Sequence, residues 1–212
     1  MEALLESPPV TIPALGRRSP AQVMERLGAA LEARAPGAEG HARRVARYAA
    51  GIAREVGLSR EQVARIRRAA ALHDIGKLET PAALVNKAGP LSEEEFAIVK
   101  RHAAVGARLV VGFGDEELAA IVRHHHERVD GSGYPDGLVG AQIPFGARIV
   151  AVADTFDALT STRPYRTAKR HREALDLIRA EAGAQLDPEV VGAFRRYHSG
   201  PRARLSQVAF GM

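Results

Sequence analysis

Cysteine is missing from all 212 residues, which removes disulfides and thiolate metal ligands together. Any metal would therefore have to be held by His, Asp or Glu. Tryptophan is also missing, aromatics are only 5% of the chain, and no stretch alternates convincingly, so a β-rich fold is a poor fit. No run reaches the ~18 apolar residues of a membrane span, and the N-terminus lacks the basic-then-apolar profile of a secretory signal. A cytoplasmic protein without a membrane partner is expected. No basic block is long enough for a nucleic-acid polymer. The net charge of +5 either solvates a surface or favours an anionic ligand such as a nucleotide.

What is present is helical. Residues 1–20 carry Pro8, Pro9, Pro13 and Pro20 and read as an N-terminal arm or linker. Residues 21–199 form one patterned domain, and residues 200–212 a C-terminal tail. Val23, Leu27 and Leu31 repeat at four-residue steps, and Val45, Tyr48, Ile52 and Val56 mark a second helix closed by Gly57. Ser59 with Gln62, and Ser92 with Glu95, have capping-box spacing. The first should open a helix running to about Gly76. The second should open one that turns Phe96, Val99, His102, Gly106 and Leu109 to a single face. Leu118, Ile121 and Val122 lead towards His125 and His126, and a Gly/Pro-rich loop covers about 130–144. Helical pattern resumes at Ile149 and runs through Asp154. Two more helices follow at roughly 169–182 and 188–198, the latter capped by Asp187-Pro188. The fold class is all-α, a helical bundle.

Five of eight histidines fall on inward stripes: His41, His73, His102, His125 and His126. Asp154 follows Val150 by one turn, and Asp74 adjoins His73. One histidine on an apolar face is usually a hydrogen-bonded core residue. Five imidazoles and two carboxylates buried together are costly unless a cation compensates them. Imidazole with carboxylate suits iron or manganese first, with zinc, cobalt or nickel as alternatives, better than magnesium. Seven ligands exceed what one ion takes with a position left open, so two divalent metal ions sharing Asp74 fit better. Lys77, four residues past His73, should emerge on the same side and meet a phosphate oxygen. His124, His171 and His198 read as structural or exposed. Glu127 is either a partner orienting a ligand histidine or an exposed charge.

His73-Asp74-Ile75-Gly76-Lys77 resembles the signature of the HD phosphohydrolase superfamily, and His125-His126-Glu127-Arg128-Val129-Asp130-Gly131-Ser132-Gly133-Tyr134-Pro135 resembles the hallmark of the HD-GYP family. The likeness extends through Asp154-Thr155-Phe156-Asp157-Ala158-Leu159-Thr160 and Arg163-Pro164-Tyr165-Arg166. It implies an HD-type helical bundle that hydrolyses cyclic di-GMP to pGpG, in some members on to GMP, by a metal-bridging hydroxide. It also implies His41, His73, Asp74 and Asp154 around one metal and Asp74, His102, His125 and His126 around the other. Asp74 and Lys77 would be catalytic. Lys77, Tyr134, Arg163 and Arg166 would bind substrate. Members with three metals use a glutamate one turn before the first histidine; Gly37 stands there in this chain, with Glu39 on another face, which implies two metals and pGpG as main product. A receptor that binds cyclic di-GMP without cleaving it, a phosphohydrolase of another nucleotide, and hydrolysis of a mixed cyclic dinucleotide are the alternatives. A homodimer or an upstream sensory domain would be a natural partner.

Overall fold

The structure is a computed structural model that describes residues 26, 29–31, 40–162 and 167–199. The expected arm at 1–20, the tail at 200–212, Val23, Leu27, Gly37, Glu39, Arg163 and Arg166 lie outside the described residues. Nine helices follow one another among the described residues from His41 on: α1 His41–Glu55, α2 Arg60–Leu72, α3 Ala82–Val85, α4 Glu93–Lys100, α5 His102–Val111, α6 Glu116–His124, α7 Phe145–Thr160, α8 His171–Ala180 and α9 Pro188–Ser199. There is no strand among the described residues; the only pairings of that kind are isolated bridges, Asp130 with Val139 and Ala182 with Leu186. The fold is an all-α bundle, as the composition implied.

The helix starts follow their local chemistry. Ser59 Oγ accepts from the Gln62 backbone N–H at 3.2 Å while Gln62 Oε1 accepts from Ser59 N–H at 3.0 Å. Ser92 and Glu95 repeat the exchange at 3.2 and 2.7 Å. Asp187 Oδ1 accepts from the backbone N–H groups of Glu189 and Val190 at the start of α9. Each such cap satisfies donors that the first helical turn cannot pair and contributes about 1 kcal/mol.

Helix α7 is the hub. It packs against α1, α2, α6, α8 and α9, and Ala147, Ile149, Val150, Val152, Ala153 and Phe156 on it are fully buried. A helix apolar on nearly every side belongs in the middle of a bundle. At its far end, Phe156 meets Tyr48 of α1 and Phe194 of α9 edge-on, with ring centroids 5.2 and 4.9 Å apart.

Three expectations shift. The helix opened at Ser59 ends at Leu72, and a separate 3-10 turn, Ile75–Glu79, carries Gly76 and Lys77. The stripe from Phe96 to Leu109 is broken at Arg101, and Phe96 is 42% exposed rather than inward. The helix expected from Ile149 already begins at Phe145. A side chain on Gly76 would start 2.0 Å from the His102 carbonyl oxygen. The 3-10 turn is thus pressed onto the α4–α5 junction, backbone against backbone, which only glycine permits. That contact brings His73-Asp74 up to His102.

Candidate metal centre

The local fold explains how the histidines are aimed. His73 is the residue that closes α2 and His125 closes α6, while His102 stands just past α4. The last carbonyls of a helix lack intrahelical partners. Each of these rings uses one: His73 Nδ1–H donates to Ala70 O at 2.8 Å, His102 to Val99 O at 2.7 Å and His125 to Val122 O at 2.7 Å. A carbonyl can only accept, so the proton sits on Nδ1 and the Nε2 lone pair faces inward.

Two groups of donors converge. Asp74, His102, His125 and His126 present ligand atoms within 4.8 Å of one another, and so do His41, His73 and Asp74. Asp154 Oδ1 stands 3.4 Å from His41 Nε2 and 3.9 Å from His73 Nε2. Asp74 belongs to both groups, with Oδ2 3.5 Å from His73 Nε2 and Oδ1 3.4 Å from His102 Nε2. The structure therefore brings together all seven residues of the expected set.

The donor set fits a cation. His102 and His125 both spend their Nδ1–H on backbone, so two lone pairs meet, Nε2 to Nε2, at 3.5 Å. Asp74 Oδ1 is buried beside them with no hydrogen-bond partner. Electron-rich atoms crowd one another here without a donor between them, which is what a metal ion relieves. Protonation is a poor substitute. Burial, reinforced by His126 and His73, holds His125 well below the usual histidine range. Burial lowers His102 as well, and His126 falls to about 3. Burial opposes ionisation of Asp74, but Lys77 and the neighbouring histidines outweigh it and hold the carboxyl well below its ordinary value. Neutral imidazoles around an ionised carboxylate are the forms that ligate metal.

Other residues frame the centre. Lys77 Nζ donates to Asp74 Oδ2 at 2.7 Å. His41 Nδ1–H donates to Asp157 Oδ2 at 2.8 Å, and Arg44 fixes the same carboxylate through Nε at 2.6 Å and Nη2 at 3.0 Å. Asp157 is 1% exposed and was not among the expected site residues. The signal was present: Asp154 and Asp157 are three apart on α7 and share a face. Burial lowers the His41 pKa, but the Asp157 hydrogen bond and the charges of Asp154 and Asp74 outweigh it and raise it overall.

Glu127 takes neither role the sequence left open. It is buried, and its carboxylate accepts from the backbone N–H groups of Asp136 at 2.7 Å, Gly137 at 3.1 Å and Leu138 at 3.1 Å. It thereby clamps the loop that follows the histidine pair. A side chain on Gly133 would start 2.3 Å from the Arg128 backbone nitrogen, so the loop folds tightly back on its own beginning. Tyr134, joined to Pro135 by a cis peptide, stacks on His126 with centroids 4.8 Å apart and planes 29° apart. His124, outside the constellation, meets Asp136 Oδ2 through Nε2 at 2.9 Å and so ties the same loop to α6. His171 and His198 pack with Phe156 instead.

A family model described as HD domain matches residues 25–190. The chain belongs to the HD-domain family. The cyclic di-GMP phosphodiesterase response regulator RpfG of Xanthomonas campestris is 44% identical over 190 residues, covering 88% of this chain and 49% of that protein. A cyclic di-GMP phosphodiesterase of Thermotoga maritima is 43% identical over 176 residues, 82% of this chain and 48% of that one. This HD domain thus spans about half the length of the curated relatives it matches. Among solved structures, the cyclic GMP-AMP specific phosphodiesterase V-cGAP3 of Vibrio cholerae superposes with a TM-score of 0.66 at 21% identity, over 86% of this chain and 49% of that one. At that identity the likeness is one of fold. No helix among the described residues of the HD domain is long and apolar enough to cross a membrane.

Proposed function

We propose that this HD domain is a metal-dependent phosphodiesterase that hydrolyses cyclic di-GMP to pGpG. The observation that carries the reading is the shared carboxylate: Asp74, with one buried oxygen unpartnered, belongs to two histidine groups, and within each two Nε2 atoms meet, His102 with His125 at 3.5 Å and His41 with His73 at 3.4 Å. Two divalent ions, iron or manganese, would be held by His41, His73, Asp74 and Asp154 on one side and by Asp74, His102, His125 and His126 on the other. When bound, they would supply Lewis acidity to the phosphate oxygens and make water a competent nucleophile at neutral pH.

The remaining work falls to this chain's own groups. Water adds to phosphorus and the P–O3′ bond breaks, leaving a 5′-phosphate on one product end and a 3′-hydroxyl on the other. Lys77, 29% exposed and already beside Asp74, can turn its ammonium to a non-bridging phosphate oxygen and offset the charge that builds there. Burial, with Asp74 and Asp154 nearby, pushes the Tyr134 phenol well above its usual pKa, so it stays a neutral hydrogen-bond donor at the mouth of the site. Arg163 and Arg166 would hold the substrate's phosphates through their forked donors. A homodimer or an upstream sensory domain as partner belongs to the same proposal.

The test incubates the full chain, loaded with Mn(II) or anaerobically with Fe(II), with cyclic di-GMP and separately with cyclic GMP-AMP. Chromatography should reveal pGpG from the first. Binding of cyclic di-GMP without any pGpG or GMP would turn the reading into that of a receptor, and faster cleavage of cyclic GMP-AMP would reassign the substrate. Asp74→Ala should lose turnover and metal together, whereas Lys77→Ala should lose rate but keep metal.

A further inference from the structure

A groove of about 730 Å³ lies beside the metal centre: of the seven clustered residues His102 lines it, and so does Tyr134, which stacks on His126. It runs between the 3-10 turn that holds Gly76 and the junction of α4 with α5, and the Tyr134-Pro135 segment closes one end. Its size falls within the roughly 300–1,000 Å³ of small-molecule sites. The loop at that end is held by Glu127 and by the Tyr134 N–H bond to the His126 carbonyl.

Its charge is one-sided. Lys100, Arg101 and Arg108 line it against a single acid, Glu79, and that carboxylate lies 3.8 Å from Arg108. Neither Lys100 nor Arg101 has a carboxylate partner among the described residues. Lys100 Nζ instead sits over the rings of Phe96 and Tyr134, 4.7 and 5.5 Å from their centroids. Tyr134 in turn stacks on His126, so the Lys100 ammonium is one ring away from the metal centre. Two cations left without acids, beside a centre that takes a phosphodiester, are matched to a second negative charge on the same substrate.

A cyclic dinucleotide carries two phosphodiesters, and only one can be at the metal centre. We infer that this groove receives the half of the ring remote from the scissile bond, with Lys100 and Arg101 neutralising the second phosphate. The inference rests on the phosphodiesterase reading. It adds Lys100 and Arg101 to Arg163 and Arg166 as residues that favour cyclic dinucleotides over diesters with a single phosphate.

Metal-loaded full chain and the variants Lys100→Gln, Arg101→Gln and the pair together would be assayed on cyclic di-GMP and on bis(p-nitrophenyl) phosphate, which has one phosphodiester only. In the double variant the ratio of kcat/KM for cyclic di-GMP to that for the small diester should fall at least tenfold, carried mainly by KM. Arg101→Lys should recover most of the loss. An unchanged ratio overturns the groove assignment, as does an equal loss on both substrates, which would mean that the pair acts on the metal centre or the fold. Wild-type protein that cleaves the small diester but no cyclic dinucleotide would instead sink the parent reading.

Discussion

Replacing Glu127 with glutamine should loosen the Gly-Tyr-Pro loop while leaving every helix intact. The carboxylate is 3% exposed and takes three backbone donors: Oε1 accepts from Asp136 and Gly137, Oε2 from Leu138. Glutamine can keep one oxygen in place and so retain the first two bonds in weakened form. Its amide nitrogen then faces the Leu138 N–H, donor to donor. A lost bond to a carboxylate costs about 1.5–3 kcal/mol, and a buried N–H left unpaired adds about 1–3 kcal/mol. Allowing for relaxation of the loop, the net loss is about 2–4 kcal/mol. For a chain of this size 1 kcal/mol corresponds to about 2–4 °C in Tm, which places the shift at about 4–16 °C. Thermal melts followed by far-UV circular dichroism would measure it. Amide hydrogen exchange would report whether Asp136, Gly137 and Leu138 lose protection first. A Tm within about 2 °C of wild type, with unchanged exchange at those three amides, would refute the clamp.

Asp157→Asn leaves one acceptor for two donors, His41 Nδ1 and Arg44, so metal affinity should weaken about 10–100-fold while helicity stays the same; equal affinity in a metal titration would dismiss Asp157 as an orienting group. Gly76→Ala drives a methyl into the His102 carbonyl and should cost about 1–3 kcal/mol in urea unfolding, with metal binding weakened in step; a neutral substitution would show that the turn need not press on α5. His198 is held at about 4 against the usual 6.5, first by burial and then by His171 and Arg47. The unfolded chain therefore takes up a proton here before the folded one, so the stability from a neutral His198 is complete above pH 6.5 and fades as pH falls towards 4. Because the ring is only part-buried, the effect is about 1–2 kcal/mol. His198→Phe should flatten the pH 4–6.5 limb of the stability curve, and an identical slope would argue against it.

The helices were legible in the sequence because their signals are local. Ser59-Gln62, Ser92-Glu95 and Asp187-Pro188 cap where they stand, whatever packs above them, and the apolar spacing of Val45, Tyr48 and Ile52 points one way on any helix. The seven clustered residues were also within reach, since imidazoles and carboxylates in such number share a protein interior only around a cation. What no local pattern could supply was each partner's address. Glu127 reads alike as a partner of a ligand histidine or as a surface charge, and it is neither, because the loop curls back and puts three N–H groups on it. Asp157 became the support for His41 only when α7 lay against α1. Nor does any local pattern announce that Gly76 meets a carbonyl 26 residues away in sequence. Residue type and period determined which elements form and which side chains carry chemistry; close contact between distant backbones decided which of them meet.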